Sequence, residues 1–161
     1  MKKVIYPGTF DPVTYGHIDI IKRAIDLFDS VAVTVAINPA KETLFSTEER
    51  VKMLKESLKK FKNVTVESFD GLVVDYARKV NAIGIIRGLR ALSDFEYEFQ
   101  MALMNRKLAS TIATIFLMPN EKYTYLNSSI VRNLASLNSD VSDFVPPIVQ
   151  KAFLKKFPFK K

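Results

Sequence analysis

Five strand-like runs, separated by stretches whose apolar residues recur at helical spacing, constrain this chain more than any other feature. The runs are residues 2–6, 31–37, 64–68, 82–87 and 112–118. Several are apolar without strict alternation, the pattern of strands covered on both faces, as in a parallel sheet. Between them, Ile18, Ile21, Ile25 and Phe28, and then Val51, Leu54, Leu58 and Phe61, step by three and four residues, which marks one face of a helix. Ser46 with Glu49, and Ser93 with Glu96, read as capping boxes that open helices. Further helices are predicted at about 71–80 and 128–137, and Asp143 with Pro146-Pro147 introduces a last one carrying Val149, Ala152 and Phe153. Strand alternating with helix in this way predicts an α/β doubly wound five-stranded parallel sheet with right-handed crossovers.

A chain of 161 residues is long enough for one well-buried core, and no repeat or linker divides it. A single domain over 1–161 is expected, with a C-terminal helix and basic tail at about 145–161. The sequence has no cysteine and one histidine, so disulfides, cysteine-held zinc and multi-histidine metal sites are excluded. No metal site made by protein side chains is expected; magnesium would arrive with a phosphate substrate. The N-terminus is no secretory signal and no stretch is long enough to span a membrane, which points to the cytoplasm. The net charge is +7, but residues 151–161 hold five lysines and no acid, leaving about +2 on the rest. That distribution fits a terminal helix docking Phe153, Leu154, Phe157 and Phe159 with solvated lysines better than a surface for nucleic acid or membrane.

In doubly wound sheets, ligands bind beyond the carboxyl ends of the strands, where the strand order switches. The first strand ends at Pro7-Gly8 and passes through Thr9 and Phe10 to Gly16-His17 at a helix start, an arrangement that favours an anion. Lys41 follows the second strand, Arg87-Gly88-Leu89-Arg90 the fourth, and Ser128-Ser129 open a helix after the fifth. Structural alternatives exist for each: Lys41 as a surface lysine, the arginines as a turn with salt bridges, the serines as a helix cap. Together they make a cationic, donor-rich edge without a Ser/His/Asp or Cys/His nucleophile set. Such an edge suits phosphoryl or nucleotidyl transfer, in which positioning and charge stabilisation supply most of the catalysis. Neither G-x-x-x-x-G-K-[ST] nor G-x-G-x-x-G is present.

Thr14-Tyr15-Gly16-His17 resembles the T/H-x-G-H signature of the nucleotidyltransferase superfamily. With residues 6–17, Thr-Glu-Glu-Arg (47–50), Ile-Arg-Gly-Leu-Arg (86–90), Asp-Phe-Glu-Tyr-Glu (94–98), Met104-Asn105, Phe-Leu-Met-Pro (116–119) and Asn-Ser-Ser-Ile-Val-Arg (127–132), the chain resembles the bacterial phosphopantetheine adenylyltransferases over essentially its whole length. The resemblance implies a Rossmann-like fold, a homohexamer, and reversible adenylyl transfer from ATP, with Mg2+, to 4′-phosphopantetheine, giving dephospho-coenzyme A and pyrophosphate. Carried onto matching positions, it makes His17 the transition-state stabiliser, with Lys41 and Arg90 as further catalytic groups. Thr9 would contact both ligands. Lys41, Arg87 and the main chain of Val73 would hold the acceptor. Phe10, His17, Gly88, Leu89, Arg90, Glu98, Tyr123, Thr124, Tyr125, Leu126, Asn127, Ser128 and Ser129 would bind ATP. Asn127 stands where the family commonly has serine, and Val73 where it often has a longer side chain.

Two other readings share parts of this pattern. A cytidylyl- or adenylyltransferase for glycerol phosphate or nicotinamide mononucleotide would keep the same loop with another acceptor. A nucleic-acid-binding module would use the lysine-rich tail and would show a steep salt dependence.

Overall fold

A computed structural model describes residues 1–158, with Leu92 and Ser93 described by backbone alone. The elements run β1 (Lys3–Gly8), α1 (Tyr15–Leu27), β2 (Ser30–Ala36), α2 (Thr47–Leu58), β3 (Val64–Phe69), α3 (Val73–Lys79), β4 (Gly84–Gly88), α4 (Leu92–Leu108), β5 (Ala113–Leu117), α5 (Ser128–Ser136) and α6 (Pro147–Lys156), with a short 3-10 turn at Glu121–Tyr123. The five strands form one parallel sheet in the order β3-β2-β1-β4-β5. The order reverses between β1 and β4, whose carboxyl ends, Gly8 and Gly88, therefore flank the crevice.

Side chains alternate across the sheet and divide the core into two layers. Val4, Tyr6, Val31, Val33, Val35 and Ile86 face α1, α2, α5 and α6. Ile5, Ala32 and Ile85 face α3 and the connection into β5. Burying each fully enclosed Val or Ile contributes roughly 1.5–3 kcal/mol. Gly84 is glycine because a Cβ there would come within 3.1 Å of the Ala113 carbonyl, across the β4–β5 pairing.

Three expectations are corrected. The first concerns α4: it opens at Leu92 with Ala91 as N-cap, so Ser93 lies inside the first turn and is not the cap. Second, the continuously apolar run of β5 is not covered on both faces but only part-buried, as an edge strand with a neighbour on one side; β3, the other edge, alternates in burial as its sequence does. Third, in the C-terminal helix Phe153 is buried and stacks near Phe45 and Phe157, whereas Leu154 points to solvent. Phe159 and the last two lysines lie outside the described residues. The helix docks on its own chain, where Lys156 pairs with Glu49 of α2 at 3.2 Å.

Candidate active site

The loop after β1 is built around a residue in left-handed backbone. Phe10 has φ 49°, a conformation costly for a non-glycine residue and held by its buried ring. That ring packs edge-on to Tyr6 (5.4 Å between centroids) and to His17 (5.0 Å). Gly8 leaves the space, since a Cβ there would stand 3.0 Å from the Phe10 ring. The carbonyls of the loop are taken by three side-chain donors from two distant helices. Arg50 of α2 donates to Thr9 at 2.7 Å, Arg132 of α5 to Asp11, and Ser128 to Pro12 at 2.8 Å.

Asp11 ties this loop to the one carrying Lys41. It is 2% exposed, and its two carboxylate oxygens accept the Leu44 and Phe45 amides at 2.9 Å each. Arg132 stands 3.4 Å from the same carboxylate. Asp11, Arg50 and Arg132 are functional supports that sequence reasoning did not single out. Their partners lie 33 to 121 residues away, so no local spacing reveals them.

At the start of α1, Thr14 is the N-cap and His17 occupies the position where a capping box ordinarily has Glu or Gln. The Thr14 amide donates to His17 Nδ1 at 3.0 Å. A backbone amide can only donate, so Nδ1 accepts and the neutral ring carries its proton on Nε2. Burial, assisted by the Arg90 charge, lowers the His17 pKa to about 4. The side chain is therefore a neutral, oriented N–H donor at ordinary pH.

Two adjoining cavities open over the β1–β4 switch. The larger, about 860 Å³, is lined by Thr9, Phe10, His17, Lys41, Arg87, Gly88, Arg90, Glu98, Tyr123, Leu126, Asn127, Ser128 and Ser129 among the expected residues. The smaller, about 240 Å³, is lined by Val73 and shares Thr9, Lys41, Arg87 and Glu98 with the larger. Leu89, Thr124 and Tyr125 are not on either wall. The Leu89 amide continues the sheet ladder to Leu117, Thr124 closes the 3-10 turn on Glu121, and the Tyr125 ring lies edge-on to Phe144.

The structural alternatives hold in part alongside this convergence. Arg87 makes a fork with Glu98, Nε to Oε2 at 2.7 Å and Nη2 to Oε1, while Nη1 donates to the Pro7 carbonyl at 3.1 Å. Burial works against the Arg87 charge, and the Glu98 carboxylate more than offsets it, holding the guanidinium pKa above its usual value. Arg90 reaches both Asp94 and the Leu126 carbonyl at 3.3 Å. Asn127 is the N-cap of α5, accepting the Ile130 amide at 2.8 Å. The Ser128 hydroxyl proton faces Pro12, and Ser129 Oγ accepts from Arg132 at 3.2 Å.

Four carboxylates line the larger cavity, and Asp11, Asp94 and Glu98 are each paired with an arginine. Among the described residues, no group of three or more His, Asp or Glu side chains is placed to hold a metal ion. The site is a donor-rich pocket in which Lys41, Arg87, Arg90 and Arg132 are matched in number by four carboxylates, with a neutral imidazole donor and no activated side-chain nucleophile, suited to bringing two phosphates together.

A family model described as cytidylyltransferase-like matches residues 5–134. The chain is 58% identical, over 98% of both sequences, to a phosphopantetheine adenylyltransferase from Caldanaerobacter subterraneus. It is 54% identical, over 99% of both, to one from Moorella thermoacetica. A solved structure assigned as a nicotinate-nucleotide adenylyltransferase from Vibrio parahaemolyticus superposes with a TM-score of 0.72 over 96% of this chain and 93% of that one. Its sequence identity is 19%, so the likeness is one of fold.

Proposed function

The chain belongs to the phosphopantetheine adenylyltransferases of the cytidylyltransferase-like family, and from that premise we infer that it transfers the adenylyl group of ATP reversibly to 4′-phosphopantetheine. The products are dephospho-coenzyme A and pyrophosphate, a step of coenzyme A biosynthesis. The observation that carries the reading from family to mechanism is the meeting of His17, Lys41, Arg87, Arg90 and the α5 start on one cavity at the sheet switch.

The acceptor phosphate is itself the nucleophile, so the protein needs neither a covalent intermediate nor a general base of its own. In this reading Lys41 and Arg87 hold that phosphate, and Thr9 stands between the two ligands. Arg90 and the amides at the start of α5 face the nucleotide phosphates, where a helix N-terminus favours an anion. His17 Nε2–H donates to the α-phosphate oxygens as their charge rises in the transition state, a contact already oriented by Thr14. Magnesium would fit as a partner of ATP: the described side chains make no three-residue cluster to hold it, so the triphosphate oxygens would be its main ligands and it would neutralise their charge.

The finer assignments complete the proposal. The working form is a homohexamer in the cytoplasm. No described helix is long and apolar enough to cross a membrane. In a single copy α4 leaves Phe95, Phe99, Met101, Leu103 and Met104 uncovered, more apolar surface on one helix than isolated exposed residues account for.

Pyrophosphate release tests the reaction, with ATP or CTP supplied against 4′-phosphopantetheine, glycerol 3-phosphate and nicotinamide mononucleotide. Release only with ATP and 4′-phosphopantetheine is the expected result. Preference for another acceptor overturns the assignment.

A further inference from the structure

Arg87 and Glu98 sit on the wall shared by the two cavities, yet each is engaged by the other. The Nε–Nη2 edge of a guanidinium is one of the two edges that meet a carboxylate or a phosphate with two parallel hydrogen bonds. In Arg87 both of those donors go to Glu98. The bond from Nη1 to the Pro7 carbonyl fixes the plane of the group, so a different edge cannot simply be rotated into the same place. A phosphate arriving beside this pair also meets a carboxylate of its own sign, which opposes it until the carboxylate moves away.

We propose that Glu98 is a resident competitor for the acceptor's phosphate, occupying that bidentate edge of Arg87 in the free enzyme and giving it up when the acceptor binds. The inference rests on the functional reading above. Its consequence is selective. A ligand's apparent affinity falls by the fraction of time Arg87 is already held. A bare anion that only Arg87 would hold is disfavoured. An acceptor that also engages Lys41 and fills the smaller cavity displaces the carboxylate. Glu98 is in this sense a specificity-determining residue, acting on one ligand through Arg87.

Calorimetric titration of the full-length protein, without nucleotide, separates this from a merely structural ion pair. For Glu98→Gln the expected result is binding of 4′-phosphopantetheine on the order of tenfold tighter than wild type, with pantetheine lacking the phosphate unchanged. Unchanged or weaker binding of 4′-phosphopantetheine overturns the exchange, as does equal tightening of pantetheine. A crystal structure of the wild-type protein with 4′-phosphopantetheine reads the same point without a variant. An open Arg87–Glu98 fork supports the exchange, and an intact one contradicts it. If wild-type protein binds no 4′-phosphopantetheine at all, the functional reading falls first and the exchange with it.

Discussion

The Thr14 amide and His17 Nδ1, 3.0 Å apart, make one side chain serve both the helix and the chemistry. The bond closes the reciprocal cap of α1 and fixes the proton on Nε2. Stability and catalysis should then separate in two substitutions. His17→Ala loses the cap and should destabilise the protein by about 1 kcal/mol. His17→Gln keeps a group that can reach the Thr14 amide, as in an ordinary capping box, and should lose only a few tenths. Urea midpoints compare the two; equal losses would mean that the imidazole does not cap the helix.

The same bond sets a pH dependence. The lowered folded pKa of His17, about 4, lies below the ~6.5 of an unfolded histidine. Between those values the unfolded chain binds the extra proton, so stability falls as pH drops through the window and the loss is complete below pH 4. The drop is up to about 3 kcal/mol, following the size of the shift. As the only histidine, it can be isolated by comparing wild type with His17→Gln between pH 6.5 and 4.5. The slope should flatten in the variant; parallel slopes would contradict a part-buried neutral imidazole.

Asp11 should matter more than its absence from the binding contacts suggests. Asp11→Ala leaves the Leu44 and Phe45 amides and Arg132 without their carboxylate. Such a loss costs about 2–4 kcal/mol and loosens the loop that carries Lys41. A fall in stability, together with a raised KM for the acceptor exceeding that for ATP, is expected. A variant within 0.5 kcal/mol (about the scatter of ordinary surface changes) and with unaltered KM values would show the staple to be idle.

The apolar side chains that α4 leaves uncovered give a prediction about assembly. Leu103→Glu places a charge on the exposed apolar stretch, where an interface core excludes one. Sedimentation should show a hexamer for wild type and smaller species for the variant. A wild-type monomer, or a variant that still forms the hexamer, would rule out this stretch of α4 as the contact.

The frame of the fold was legible because its signals are local. The apolar runs give β1, β2 and β4 to within one or two residues, and Ser46 with Glu49 forms the cap expected of it. Glu96 misleads because Ala91, without a capping side chain, precedes α4. The motif residues reached one pocket because strand ends converge in a parallel sheet. What the sequence hid was mutual engagement: the Arg87–Glu98 fork, the Asp11 staple and the Arg50 hold on Thr9. These depend on the tertiary approach of segments far apart in the chain. The cap at His17 stayed unread for another reason, since imidazole is not the side chain a capping box leads one to look for.

Steady-state pyrophosphate release by His17→Ala tests the central claim most directly, because that substitution removes the Nε2 donor outright, while the lost cap costs only about 1 kcal/mol. The account predicts a kcat lower by a factor of roughly 10²–10³, with both KM values changed little. Turnover near wild type would contradict it.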